Sequence, residues 1–116
     1  MSDDNNQLKA VPVRRRSAAR LAAIQITYQS LITGQSAADF VPQFLSHYAA
    51  EVRKSFRVKD LDQEHLTDLY AGVEAGRDDL DRVIGAALLP GWSIDRLARI
   101  ELAVLRCGAY ELTDMP

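Results

Sequence analysis

The sequence predicts an all-α protein: a compact bundle of about five helices, led in by a mobile, basic N-terminal arm. Three observations predict it. Apolar residues recur at helical spacing in five separate segments. Glycine or proline stands where most of those segments stop. No stretch alternates apolar and polar residues as a half-buried strand would. With 116 residues, 47% apolar and 26% charged, the chain has the size and composition of one globular domain. The expected division is a flexible tail over residues 1–13 and a helical domain over 14–116, its basic arm at 14–20 running into the first helix.

The tail is polar, aperiodic and contains Pro12. From Ser17 the pattern turns helical. Leu21, Ile24, Tyr28, Leu31 and Ile32 fall on one face, and Gly34 supplies the left-handed residue that commonly ends a helix. A second helix is expected from Ser36 or Val41 to Val52, with Phe40, Phe44 and Tyr48 stacked at four-residue spacing. Pro42 is tolerable there only within the first turn. "RKSFRVKD", Arg53 to Asp60, reads as a basic connecting loop.

The third helix carries Leu66, Leu69, Tyr70 and Val73 on one stripe, with Asp60 or Asp62 to cap it and Gly76 to end it. The fourth carries Leu80, Val83, Ile84, Ala87 and Leu88. Asp78, Asp79 and Asp81 crowd its first turn, where the helix dipole favours acids, and Pro90-Gly91 stops it. The last helix opens at Ser93. Its apolar residues Ile94, Leu97, Ile100, Leu102, Val104, Leu105, Cys107, Ala109 and Leu112 cover nearly the whole circumference, which predicts a central position in the bundle. Gly108 within it suggests a close helix crossing. Four preceding helices leave such a helix under-covered. Either an apolar face is left for a partner or a second copy, or the natural chain continues beyond Pro116.

Composition excludes several classes of function. No apolar run is long enough to span a bilayer, and the N-terminus lacks the apolar core of a secretion signal, so a cytoplasmic protein with no membrane association is expected. Cys107 is the single cysteine, which denies the chain an internal disulfide and a cysteine metal cluster. It reads as a small buried side chain. His47 and His65 lie on different helices without zinc-ligand spacing. There is no phosphate-binding glycine loop and no nucleophile–base arrangement. No enzymatic activity, metal or cofactor is expected.

The net charge of −2 hides an asymmetry. Residues 1–60 hold 9 Lys/Arg against 5 Asp/Glu, and residues 61–116 hold 5 against 11. The densest cluster, Arg14, Arg15 and Arg16 with Arg20 close behind, stands where the first helix is expected to begin. Cations are unfavourable at that positive pole. They are tolerable if an anion occupies it, since free backbone N–H groups at a helix start bind phosphate. Arginine, with its planar fork, suits bidentate phosphate contact and base stacking better than lysine. A solubilising tail is the plainer alternative.

Several blocks resemble the bacterial transcription antitermination factor NusB family: "AARLAAIQITYQ", "DLYAGV", and above all "LLPGWSIDRLARIELAVLRCGAYEL". The resemblance spans roughly Arg16 to Pro116. Family members usually continue past the segment matching "DMP" with further helices, so the resemblance implies a chain lacking the C-terminal helices. In the basic arm, Arg16-Ser17-Ala18-Ala19-Arg20 departs from the family's usual arginine pair followed directly by x-Ala-Arg.

The resemblance implies an RNA-binding arm at Arg14, Arg15, Arg16 and Arg20 that contacts boxA-type single-stranded RNA. It further implies pairing with a NusE-type small-subunit ribosomal protein and action on the elongating RNA polymerase, notably in ribosomal RNA operons. Tyr28, Glu101 and Arg106 are candidate RNA or partner contacts. Tyr28 is equally suited to the core, and Glu101 and Arg106 to a solvated seam where they pair with other charges. Asp78, Asp79 and Asp81 are candidates for an acidic surface facing a basic partner, although helix-start stabilisation already accounts for them. A homodimer is also compatible with the sequence. Two other readings stay open: an RNA-binding accessory domain of a ribosomal RNA cytosine methyltransferase, and a helical protein-interaction module without RNA binding.

Overall fold

A computed structural model describes the backbone of residues 2–115 and side chains from Val11 to Met115. Its elements are α1 (Ser2–Thr33), α2 (Ala37–His47), α3 (Ala49–Phe56), α4 (Gln63–Ala75), α5 (Arg77–Ala87), a 3-10 turn (Ile94–Arg96) and α6 (Arg99–Asp114). The fold is all-α, with no strand among the described residues.

The long first helix is the hub. α1 packs against α2, α3, α4 and α6. The residues it buries completely are Ala18, Ala19, Ala22, Ala23 and Ile26, recurring at the spacing of one helical face. The expected face is displaced by this finding: Leu21 and Ile24 only flank the core, and Ile32 is exposed. Alanines win the inner position because their small side chains let four helices approach one axis closely. Leucine volume there would force the neighbours outward.

The start of α1 also differs from expectation. The helix runs through the segment expected as a tail, with Pro12 inside it. Pro12 lies on the exposed side, where the carbonyl it deprives of a hydrogen bond can be hydrated. Arg14–Arg16 therefore sit in the helix interior and not at its positive pole. The backbone N–H groups around Ser17 are internal to the helix and are not an anion site.

The second expected helix divides at Tyr48, which lies between α2 and α3. α2 starts at Ala37, so Pro42 falls beyond its first turn, on the exposed side. Phe40, Phe44 and Tyr48 do cluster, with ring centroids 6.1–6.4 Å apart, but only Phe44 and Tyr48 are stacked, and Phe40 is tilted against both. α3 carries the chain further than expected, taking Arg53 and Lys54 into its last turn. It ends on Arg57 in the left-handed conformation (φ 55°), whose N–H donates to Lys54 O, while Val58 N–H donates to Arg53 O. Glycine usually fills such a cap, and a side chain there costs roughly 1 kcal/mol.

Asp62 caps α4, its Oδ1 accepting from His65 N–H at 3.1 Å. Leu66, Leu69 and Val73 are buried as the pattern predicts. In α5, Leu80 and Ile84 point inward and Val83 outward. Asp78 and Asp79 occupy the first turn of α5.

Ser93 opens a 3-10 turn, and the last α-helix starts only at Arg99. That helix is not central. Leu102, Ala103, Arg106 and Cys107 are buried, while Ile100, Val104, Leu105 and Leu112 are exposed. A near-complete apolar circumference was a poor guide because the four helices pack around α1 instead. The close approach expected at Gly108 also falls elsewhere. A Cβ on Gly108 would meet nothing within 4 Å, whereas one on Gly72 of α4 would collide with the ring of Tyr110 on α6.

Candidate nucleic-acid interface

Helical geometry distributes the four arginines of α1. Arg16 and Arg20 are four residues apart and share a face. Both line a broad, open groove of about 880 Å³ together with His65, Gly108, Glu111, Leu112 and Met115. Arg16 is exposed and has no acidic partner among the described residues. Arg14 is half-buried, and its buried Nε has no hydrogen-bond partner among the described residues.

Arg15 turns toward the connection between α3 and α4. Its Nε lies 2.8 Å from Asp60 Oδ1, yet this N–H makes no directed hydrogen bond, so the contact is a charge pair. Its Nη2 donates to Leu61 O at 3.5 Å. The backbone joins the same segments, since Asp62 N–H donates to Arg15 O at 3.3 Å.

Arg20 is held by α6. Its Nε donates to Glu111 Oε1 at 2.5 Å, and the other carboxylate oxygen of Glu111 meets His65 Nε2 at 2.9 Å. One carboxylate thus ties α1, α4 and α6 together. Burial alone would push the Glu111 carboxyl up. Hydrogen bonds from Arg20 and His65, with their charges, outweigh it and hold the group below its ordinary value. The same hydrogen bond raises Arg20, against an opposing effect of burial. Sequence reasoning grouped the four arginines as equals. The structure leaves Arg16 outward and engages Arg15 and Arg20 with acids.

Tyr28 is half-buried and lines a separate pocket of about 280 Å³ with Gln25, Gln29, Phe40, Phe44 and Tyr48. It does not share the groove of Arg16 and Arg20. Glu101 is exposed in the first turn of α6, where its Oε1 accepts from Ala98 N–H at 2.7 Å. This is half of a reciprocal cap, because Ala98 has no side-chain oxygen to offer in return. Around Glu101 lies an apolar patch of Leu97, Ile100, Val104 and Leu105.

Arg106 is 6% exposed and turned inward. Its Nε and Nη2 each donate to one oxygen of Asp81 on α5, both at 2.8 Å. Neither the solvated seam expected for Arg106 nor a surface role for Asp81 matches this geometry, since the two charges satisfy each other. Sequence reasoning missed this pair and the part played by Glu111. Both join residues far apart in the chain, and nothing local in the sequence signals them.

Among the described residues, no group of three His, Cys, Asp or Glu side chains could hold a metal ion. No described helix is long and apolar enough to cross a membrane.

A helical bundle with a long alanine-seated helix that carries clustered arginines along its length defines a class of small all-α proteins able to present cations in fixed array. The chain belongs to the NusB family: the family model matches residues 17–116. Relatives named transcription antitermination protein NusB include one from Sphingopyxis alaskensis, 38% identical over 84% of this chain and 65% of its own length. Another, from Bradyrhizobium sp. strain BTAi1, is 35% identical over 97% of this chain and 70% of its own. A third, from Bradyrhizobium sp. strain ORS 278, is 38% identical over 84% of this chain and 58% of its own. The chain thus spans between 58% and 70% of the length of these curated relatives. No solved structure gives a significant match.

Proposed function

We propose that this chain acts in transcription antitermination as an RNA-binding protein and not as an enzyme. It binds boxA-type single-stranded RNA through the arginine-bearing part of α1. It cooperates with a NusE-type ribosomal protein and delivers the RNA to the elongating RNA polymerase, notably in ribosomal RNA operons. The observation that carries the reading is the placement of Arg16: exposed, without an acidic partner among the described residues, beside Arg20 at an open groove. The name shared by the relatives supports the biological setting. Arg14, half-buried and without an acidic partner among the described residues, adds a second cation. Arg15 and Arg20 enter as cations that keep neighbouring carboxylates neutralised.

Phosphate contacts position RNA without specifying its sequence. Tyr28 offers a ring for stacking, and the ribosomal-protein partner would supply the remaining base contacts. Glu101, ringed by apolar side chains at the start of α6, has the character of an interface residue. A buried apolar centre excludes water, and one charge sets register against a basic partner.

The test is titration of labelled boxA-type RNA with and without the ribosomal protein, over a range of salt. Two arginine–phosphate contacts on a single strand, from Arg14 and Arg16, give a log–log slope of roughly −1.4. Replacing Arg14, Arg15 and Arg16 with alanine is expected to flatten that slope and weaken binding while the far-ultraviolet circular dichroism is unchanged. Unaltered affinity and slope would show that RNA lies elsewhere.

A further inference from the structure

The cations that acids leave unengaged are not scattered. Among the described residues, Arg15, Arg20, Arg77, Arg82 and Arg106 each have a carboxylate within salt-bridge distance. Apart from Arg96 and Arg99 near the start of α6, those without one fall in two short segments. The first is Arg14 and Arg16 on α1. The second is Arg53, Lys54, Arg57 and Lys59, where the end of α3 runs into the connection to α4. Residues 53–59 contain four basic side chains and no acid.

These two segments adjoin. Arg15 contacts Asp60 and Leu61 through its side chain and receives the Asp62 amide on its carbonyl. Lys59 is the next residue along the connection. The nearby acids do not cancel its charge, because Asp60 is engaged by Arg15 and Asp62 caps α4.

The connection is also shaped to present its charges. Phe56 and Val58 pack against the core and Leu61 is buried, while Arg57 and Lys59 between them are exposed. This inward–outward alternation sends Arg57 and Lys59 outward together. Arg57 holds its place in the left-handed cap, the only non-glycine residue with positive φ among those described. Glycine would fit that backbone better, and an arginine there trades stability for a cation at a fixed point.

Resting on the RNA-binding reading above, we infer that the end of α3 and the α3–α4 connection form a second phosphate-binding segment, in which Arg53, Lys54, Arg57 and Lys59 carry single-stranded RNA onward from the α1 arginines.

The test uses the full chain and two RNAs: a short boxA-type oligonucleotide, and the same sequence lengthened at both ends by about six nucleotides. Lengthening is expected to tighten binding roughly three- to tenfold at low salt and to steepen the log–log salt slope by roughly 1.4 to 2, equivalent to two or three further phosphates. The quadruple variant R53Q/K54Q/R57Q/K59Q should lose that increment and bind the short RNA as the unaltered protein does. Arg57→Gly provides the control for folding: it should raise the melting temperature while reducing affinity for the long RNA. If the short RNA binds but lengthening adds nothing, or the quadruple variant keeps the full increment, the connection is not an RNA segment and the α1 reading stands. If neither RNA binds, both readings fall. If the quadruple variant weakens only the ribosomal-protein complex, the segment serves a protein and the inference is overturned.

Discussion

Arg106 and Asp81 form a two-pronged ion pair between α6 and α5, each carboxylate oxygen accepting one guanidinium hydrogen at 2.8 Å. Arg106 is almost wholly buried and Asp81 partly so. Removing one member of such a pair strands a charge away from water. Arg106→Ala or Asp81→Ala is expected to lower unfolding free energy by roughly 2–4 kcal/mol, and the double replacement D81L/R106M to recover most of it. Urea unfolding of the two single variants and the double variant checks this. Additive losses would refute mutual satisfaction.

Two glycines should respond in opposite directions to the same change. Gly72→Ala drives a methyl into the Tyr110 ring, at an expected cost of about 1–3 kcal/mol. Gly108→Ala adds a methyl to open space inside α6, with an expected gain approaching 1 kcal/mol from helix propensity. Thermal melts of both variants measure the contrast. A G72A/Y110A double variant should show relief of the clash.

Glu111 contributes to acid stability with a definite sign. Its folded value is lowered below the ordinary 4.5, so its contribution is present above the unfolded value. That contribution is lost as pH falls through the lowered folded value. Glu111→Gln should therefore be less stable at neutral pH but show a shallower acid limb. Denaturation midpoints followed from neutrality into acid decide it, and parallel curves would count against the three-helix tie.

Cys107 behaves in the opposite sense. Burial pushes its thiol from the ordinary 9.0 up to about 11, only partly offset by the contact with Thr27. The fold favours the neutral form. The associated stability is complete below the unfolded value and is lost as pH rises toward 11. Because the thiolate is the reactive species, a disulfide reagent at mildly alkaline pH should label the folded chain at least about tenfold more slowly than the urea-unfolded chain. Equal rates would place the thiol at the surface.

Helix number and type were largely legible in the sequence because Leu66, Leu69, Val73, Leu80 and Ile84 repeat at helical spacing and do turn inward. The hub was not legible. Ala18, Ala19, Ala22 and Ala23 carry little hydrophobic signal individually, and bulkier Leu21 and Ile24 drew attention to the flank of the buried face. The start of α1 was missed because Pro12 reads as a breaker, although an exposed proline is tolerated where water can serve the freed carbonyl.

The arginine cluster was visible as composition, and the family resemblance carried through to the family match. What lay beyond reach was the allocation of charges. Asp60, Glu111 and Asp81 are ordinary acids in the sequence, and only tertiary contacts show that each neutralises a particular arginine.

The alanine seat of α1 has a metrical consequence. Long side chains can exchange rotamers and let a helix slide or roll by fractions of a turn, whereas methyl groups have no such freedom. The intervals between the outward residues of α1 are accordingly fixed by backbone pitch. Any strand laid along them meets a graduated scale, and a one-residue insertion between Ser17 and Ala23 would rotate every later mark by about 100°.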